Sequence, residues 1–169
     1  MPILSIKKYP DPVLGKKAKE VNKIRKMTLD LITNMLETMY AAKGIGLAAN
    51  QVGVLQRIIV ADPDSSNDRD KKTRNPIILI NPEILFQEGE NVAEEGCLSF
   101  PQIAGMVKRA QQVRVKGLNL RGEIVEIESA GLPSRVLQHE IDHLNGIIFI
   151  DRMDKEERET VRKQMKKHS

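Results

Sequence analysis

The strongest chemical signal in the chain is the pentapeptide HEIDH, which places His139 and His143 four residues apart with Glu140 between them. On an α-helix, residues i and i+4 lie on one face with their Cβ atoms about 6 Å apart, so two imidazoles can converge on one ion. The H-E-x-x-H pattern is typical of hydrolytic metal sites in which the glutamate transfers protons. The pentapeptide therefore predicts a metal-dependent hydrolase with Glu140 as its proton-transfer group.

Two histidines do not complete such a site, because catalytic metal sites usually have three protein ligands and an open position. The one other histidine, His168, is the penultimate residue and is expected to lie in solvent. The remaining candidates are carboxylates and Cys97, the single cysteine, in the segment EEGCLSFP. A lone cysteine is more often a small buried hydrophobe, so composition alone does not choose the third ligand.

The segment around HEIDH has the pattern of an amphipathic helix. A helix is predicted over about 132–145, because Pro133 suits a first turn and Gly146 suits a C-terminal stop. Gln138 and Asp142 are candidates to orient a ligand or a nearby arginine, although Asp142 could equally face solvent. Three apolar residues face away from the histidines and are expected to pack into the core: Leu137, Ile141 and Leu144.

Other segments carry clear helix and strand patterns. Apolar residues at helical spacing predict a helix over about 28–43, with Gly44 as its stop signal. Apolar runs predict strands at 54–61 and 77–80, separated by an exposed polar loop over 62–75. Alternating residues predict a hairpin that turns at Arg121-Gly122, with strands over about 113–120 and 123–128.

Weaker signals come from the two ends and from GIGLAANQVG. The first 27 residues are basic and broken by prolines, so an extended start is expected. GIGLAANQVG is too rich in Gly and Ala for a packed stripe, which predicts a loop with strand character. The tail from Asp154 predicts a helix that is weakly docked or frayed. The elements together predict one α+β domain over residues 1–169: antiparallel strands around a central helix carrying HEIDH, and a C-terminal helix.

Composition excludes several classes of protein. The 169 residues include 40% hydrophobic and 30% charged residues, which is ordinary for a globular domain. The net charge of +4 is mild, and the sequence shows no basic patch rich in aromatic residues. Sequence-specific nucleic-acid binding is therefore not expected. A single cysteine suits a reducing compartment, and neither a signal-peptide core nor a membrane-spanning run is present. A cytoplasmic protein without a membrane partner is expected.

Three segments, taken together, resemble the signature motifs of peptide deformylases in order and spacing: GIGLAANQ (44–51), EGCLS (95–99) and QHEIDHLNG (138–146). The resemblance implies a bacterial-type enzyme that removes the N-formyl group from the initiator methionine of nascent peptides. It implies a bacterial cytoplasmic location more than an organellar one. The family's native ion is typically Fe²⁺, for which Zn²⁺, Ni²⁺ or Co²⁺ can substitute.

The resemblance also assigns roles to individual residues. It implies that Cys97, His139 and His143 bind the metal and that Glu140 serves as general base and then general acid. It points to the side-chain amide of Gln51 and the backbone N–H of Leu98 as donors to the oxyanion.

Substrate contacts are expected along two segments. Glycines would let an extended peptide approach the backbone at Ile45-Gly46 and at residues 95–98, which include Glu95 and Gly96. The methionine side chain would need an apolar pocket, with Arg135 at its mouth. The candidates to line this pocket are Ile45, Leu132, Val136 and the ring of His139.

Three alternative interpretations remain open. A zincin-like metallopeptidase also carries H-E-x-x-H, but it usually takes its third ligand from downstream, where only 26 residues follow His143. A dinucleotide-binding protein would explain GIGLAA, but that fingerprint should follow a strand and open a helix. A binding module with a structural metal would need a fourth ligand.

The tail prompts one hypothesis about a partner. It carries a cluster of cations that could contact ribosomal RNA, in keeping with the co-translational role that the resemblance implies; a solvated helix face explains the cluster equally well. A monomer is expected. The cluster consists of Arg162, Lys163, Lys166 and Lys167.

Overall fold

The computed structural model of the protein describes residues 3–66 and 73–168, which form helices and antiparallel strands. The α-helices in these ranges are α1 (Lys26–Ala41), α2 (Leu132–Leu144) and α3 (Lys155–His168). The strands are β1 (Gly46–Ala48), β2 (Ile58–Ala61), β3 (Ile77–Glu88), β4 (Asn91–Cys97), β5 (Phe100–Arg109), β6 (Gln112–Leu118) and β7 (Ile124–Ala130). Among the described residues, no helix is both long and apolar enough to span a membrane.

The strands form two antiparallel sheets. Five strands pair in the order β1-β2-β3-β6-β7, while β4 and β5 form a separate two-stranded sheet. Helix α2 contacts β1, β2 and β7. Its apolar side joins a core cluster with sheet residues, among them Ile59, Leu79 and Val115, and the helix residues in the cluster are Leu137, Ile141 and Leu144. The predicted α+β class with antiparallel strands is confirmed.

The predicted helices agree with the structure to within a few residues. Helix α1 begins and ends two residues earlier than predicted, and Lys43 after it adopts a positive φ of 57°. Helix α2 ends at Leu144, and Gly146 has a positive φ of 73°, as expected for a C-terminal stop. The hairpin turn also lies where predicted, with Gly122 at φ 78° donating its N–H to the carbonyl of Asn119 at 3.0 Å.

The strand predictions were less accurate. The strand predicted over 54–61 begins only at Ile58, and the strand predicted over 77–80 continues to Glu88. It passes Asn81-Pro82 because Asn81 adopts a positive φ of 53° and the pairing with β6 shifts register there, which accommodates a proline that cannot donate to the ladder. Strands β4 and β5 were not predicted. Residues 67–72 of the predicted loop lie outside the described residues.

The prediction that the C-terminal helix is weakly docked was wrong. Val161 is fully buried in a core cluster with residues of β5. Gly105 on β5 makes this packing possible, because a methyl group there would lie 2.9 Å from Cγ2 of Val161. The predicted cap is present, since Asp154 Oδ1 accepts the backbone N–H of Glu157 at 2.8 Å.

Candidate metal centre and active site

Cys97, His139 and His143 meet where the end of β4 faces α2. Their ligand atoms all lie within 4.8 Å of one another. The Sγ of Cys97 is 3.4 Å from Nε2 of His143, which is 3.2 Å from Nε2 of His139. One thiolate and two imidazoles suit a divalent transition-metal ion such as iron, zinc, nickel or cobalt. The donor set therefore fits a mononuclear metal site.

Local backbone structure explains how these ligands converge. The two histidines share one face of α2 because of their i, i+4 spacing. The register of the β4–β5 pair shifts between Gly96 and Cys97, so that Cys97 pairs with Phe100 across a short turn. A bulge of this kind re-aims a side chain at the end of a strand. Burial and the neighbouring His139 lower the pKa of His143 well below 6.5, which favours the neutral ring that binds metals.

Glu95 orients His139. Its Oε1 lies 2.9 Å from Nδ1 of His139. Because a carboxylate only accepts hydrogen bonds, this contact places a proton on Nδ1, so Nε2, which faces His143, is the ring nitrogen that would bind a metal. A carboxylate behind a ligating imidazole is the usual arrangement in metal sites.

Glu95 itself is buried between two arginines. It accepts a two-pronged bond from Arg109, with Nε at 2.8 Å from Oε2 and Nη2 at 3.0 Å from Oε1. Arg135 Nη1 lies 2.5 Å from Oε2. Burial alone would raise the pKa of Glu95, but the hydrogen bonds from His139 and Arg109 outweigh it and hold the pKa well below 4.5. Glu95 is therefore an ionised, fully bonded group behind the metal ligands.

The predicted place of one polar residue near the site needs correction, and the structure decides between the two alternatives for another. Arg135 lies on the cavity wall but not at the mouth: it is buried, and its guanidinium also donates to the carbonyl of Val107 at 2.9 Å. Of the two alternatives for Asp142, contact with a nearby arginine is confirmed and a place in solvent is not: Asp142 is buried and accepts from Arg109 at 2.6 Å. Arg109 was missed because nothing in its own segment signals it. The one available hint was indirect, since two buried carboxylates require a cation.

Glu140 lies against the backbone of β1. Its side chain is buried, and Oε1 has no hydrogen-bond partner within the described parts of the chain. A methyl group on Gly46 would lie only 2.5 Å from Oε2 of Glu140, so the glycine makes room for this carboxyl group. Burial raises the pKa of Glu140 to about 7. A carboxyl group with this pKa can both accept and donate a proton near neutral pH.

Gln51 and Leu98 border the same space. Gln51 lies in the 3-10 turn Ala49–Val52, where its Oε1 accepts the backbone N–H of Ala48 at 2.9 Å. This bond directs the amide nitrogen outward, 3.1 Å from Oγ of Ser99 and 3.5 Å from Sγ of Cys97. Leu98 lies in the turn between β4 and β5, directly after Cys97. Both donors named by the resemblance thus lie beside Cys97.

A cavity of about 650 Å³ opens onto the cluster. Gln51, Cys97, Leu98, His139 and Glu140 line it, whereas His143 does not. All predicted substrate contacts are on its wall: Ile45, Gly46, Glu95, Gly96, Leu132, Arg135, Val136 and His139. The sequence did not indicate that Ile6, Phe100 and Ile103 also line it. The latter two lie on β5, whose strand pattern was not recognised.

An antiparallel α+β fold with a Cys/His/His cluster and a glutamate on the wall of a cavity defines a candidate metallohydrolase. The sequence model of the family described as polypeptide deformylase matches residues 3–159. A peptide deformylase of Thermodesulfovibrio yellowstonii is 52% identical over 98% of each chain, and one of Halothermothrix orenii is 55% identical over 90% of this chain and 95% of its own. The crystal structure of a peptide deformylase from Legionella pneumophila is 42% identical, with a TM-score of 0.89 over 99% of this chain and 95% of its own. The chain belongs to the polypeptide deformylase family, and this membership indicates a hydrolase.

Proposed function

We propose that the protein hydrolyses the N-formyl group from the N-terminal methionine of newly made peptides, releasing formate and a free α-amine. The observation that carries this proposal is that Cys97 and His139 of the Cys97, His139 and His143 cluster line the cavity together with Glu140. Membership of the deformylase family supports the same reaction.

The proposed cofactor is one Fe²⁺ ion per chain, held by Cys97, His139 and His143. Zn²⁺, Ni²⁺ or Co²⁺ would substitute, because the mixed thiolate and imidazole donor set suits all of them. When bound, such an ion would supply a Lewis acid that lowers the pKa of a water molecule and polarises the formyl carbonyl.

Glu140 would move the protons. Its carboxylate accepts a proton from the attacking water while the oxygen forms a bond to the formyl carbon. The protonated carboxyl group then donates this proton to the departing nitrogen as the C–N bond breaks. The pKa of about 7 that burial gives Glu140 suits both steps near neutral pH.

Gln51 and Leu98 would stabilise the negative charge that develops on the formyl oxygen. The Gln51 amide is held by its bond to Ala48 N–H, so little reorganisation is needed when the charge develops. The backbone N–H of Leu98 would be the second donor. Both groups flank Cys97, where the formyl group must lie for the attack.

The cavity would bind the substrate through main-chain and apolar contacts. We propose that the peptide adds as a strand beside Ile45-Gly46 at one wall and residues 95–98 at the other. The methionine side chain would lie against Val136, Leu132 and the ring of His139, all of which line the cavity. Glu95 and Arg135 are paired with each other, so we propose that they shape the wall and orient His139 and do not bind the peptide through their charges.

We further propose a monomeric, bacterial and cytoplasmic enzyme whose residues 1–169 form one catalytic domain. Contact with the ribosome is proposed through the exposed cations of α3. Since Val161 anchors α3 in the core, deleting the helix would disturb the fold. Replacement of Arg162, Lys163 and Lys167 by glutamine is the better test, and unchanged co-sedimentation with ribosomes at low salt would contradict the contact.

The decisive experiment is anaerobic hydrolysis of formyl-Met-Ala-Ser with formate and free amine both quantified. Acetyl-Met-Ala-Ser and the Glu140→Ala variant serve as controls. We expect metal-dependent release of equal amounts of the two products, with little turnover in either control. If the folded, metal-loaded protein releases no formate, the proposal is wrong. Cleavage within a library of N-terminally blocked peptides would then favour the zincin-like metallopeptidase.

A further inference from the structure

A continuous chain of hydrogen bonds runs from the protein surface to His139 through four charged side chains. Arg152 donates from Nε to Oδ2 of Asp142 at 3.0 Å and from Nη2 to Oδ1 at 2.9 Å. Asp142 Oδ2 accepts from Arg109 at 2.6 Å, and Arg109 makes its two-pronged bond to Glu95. Glu95 accepts from Nδ1 of His139. The chain therefore ends on an imidazole of the proposed metal site.

The outermost member differs from the others in exposure. The side chain of Arg152 is 48% exposed, whereas that of Asp142 is 10% exposed and those of Arg109 and Glu95 are 3% and 5% exposed. Arg152 ends the 3-10 turn Phe149–Arg152 that follows α2. Its replacement would remove a charge without opening a hole in the core. Arg152 is therefore the member that can be changed with least damage to the fold.

The geometry shows why the inner members depend on Arg152. Arg109 divides one guanidinium between two carboxylates, giving two N–H groups to Glu95 and one to Asp142. Arg152 provides the bond to Oδ1 of Asp142 and a second bond to Oδ2. Without Arg152, Asp142 would keep Arg109 as its cation. A buried carboxylate favours a two-pronged bond with a guanidinium, so Asp142 would draw Arg109 away from Glu95.

We propose that Arg152 is a positioning residue for the metal ligand His139, acting through Asp142, Arg109 and Glu95. This inference rests on the proposed metal site. Arg152 occupies both carboxylate oxygens of Asp142, so Arg109 keeps its two hydrogen bonds to Glu95. Glu95 then holds the His139 ring with Nε2 towards Cys97. Arg152 bonds to Asp142 and does not line the cavity that the peptide would enter.

The test is the affinity of the apoprotein for Co²⁺, followed anaerobically by the absorption of the cobalt–thiolate and d–d bands, with thermal unfolding of each apoprotein alongside. Loss of a direct partner of a ligating histidine typically costs 10–100-fold in metal affinity. Because Arg152 acts through intermediates, Arg152→Gln is expected to weaken Co²⁺ binding by about fivefold, with Arg152→Lys between it and the wild type. The matched control is Arg158→Gln: Arg158 donates to carbonyls of Asp151 and Met153 in the same region without contacting Asp142.

A double-mutant cycle separates positioning from a general structural effect. If Arg152 acts through Glu95, the Arg152→Gln change should have no further effect on Co²⁺ affinity in a Glu95→Gln background. Additive losses, or an unchanged affinity in Arg152→Gln alone, would overturn the inference. Failure of the proposed metal site itself would be recognised separately. In that case Co²⁺ would give the wild-type protein no thiolate band, or only a band that remains in the Cys97→Ser variant.

Discussion

Replacing Gly46 with alanine tests the proposed role of Glu140 without touching Glu140 itself. The added methyl group would lie 2.5 Å from Oε2 and 3.0 Å from both Cδ and Cγ of Glu140. Ordinary van der Waals contact begins at 3.4 Å. The carboxyl group must therefore retreat by about 0.9 Å if the strand stays in place. Gly46 does not adopt a positive φ, so alanine brings no backbone strain of its own.

The expected effect falls on catalysis and not on folding. A misplacement of about 1 Å in a reacting group can cost about 100-fold in rate, so kcat for formyl-Met-Ala-Ser should fall by about that factor. The free energy of unfolding should stay within about 1 kcal/mol of the wild type, because alanine also restricts the unfolded chain. Initial rates of formate release and urea unfolding of the same preparation give the two numbers.

Two further variants separate displacement of Glu140 from blockage of the peptide. Gly15→Ala is the matched control, since a methyl group there meets no atom within 4 Å. In a Glu140→Ala background, Gly46→Ala should lower kcat little further, because the carboxyl group that the methyl group displaces is already absent. Wild-type kcat in Gly46→Ala would refute the argument. Equal losses from Gly46→Ala in both backgrounds would mean that the methyl group acts on the substrate.

Three other changes have definite expectations. Gln51→Ala should lower kcat by about 10²–10³ if its amide stabilises the oxyanion, and a loss confined to KM would contradict that role. Tyr40→Phe should lower the free energy of unfolding by about 1–3 kcal/mol at pH 8, because the hydroxyl donates to Asp62 Oδ2 at 2.7 Å. Burial and Asp62 raise the folded-state pKa of Tyr40 above its ordinary value of 10.0, so the stability that Tyr40 contributes should decline above pH 10. Urea titrations should therefore find that the difference in unfolding free energy between the wild type and Tyr40→Phe shrinks above that pH. Val161→Ala should destabilise the protein by about 2 kcal/mol in urea unfolding, and no change would mean that α3 packs loosely after all.

Features with a short-range physical cause could be predicted from the sequence. The i, i+4 spacing of His139 and His143 places two imidazoles together whatever the rest of the fold does. The stop at Gly146 and the cap at Asp154 likewise depend only on a few neighbouring residues. These features were predicted to within a few positions, and the turn at Gly122 was too.

The missed features depend on contacts between distant parts of the chain. Arg109 carries no local signal, because its role arises only when β5 brings it between Glu95 on β4 and Asp142 on α2. Strands β4 and β5 form their own two-stranded sheet, and their patterns are interrupted by Gly96 in β4 and by Pro101 and Gly105 in β5. The burial of Val161 depends in the same way on Gly105, more than 50 residues earlier in the chain.

The glycines of GIGLAANQ illustrate how such distant contacts connect the three motifs. They were expected to leave room for a bound peptide. A methyl group on Gly44 would lie 2.6 Å from Cδ1 of Leu98, and one on Gly46 would lie 2.5 Å from Oε2 of Glu140. Neither glycine has a positive φ, so conformational freedom does not explain them. Their small size instead admits one side chain from each of the other two motifs, and this close approach brings the proposed oxyanion donors, Cys97, His139 and Glu140 together on the wall of the cavity.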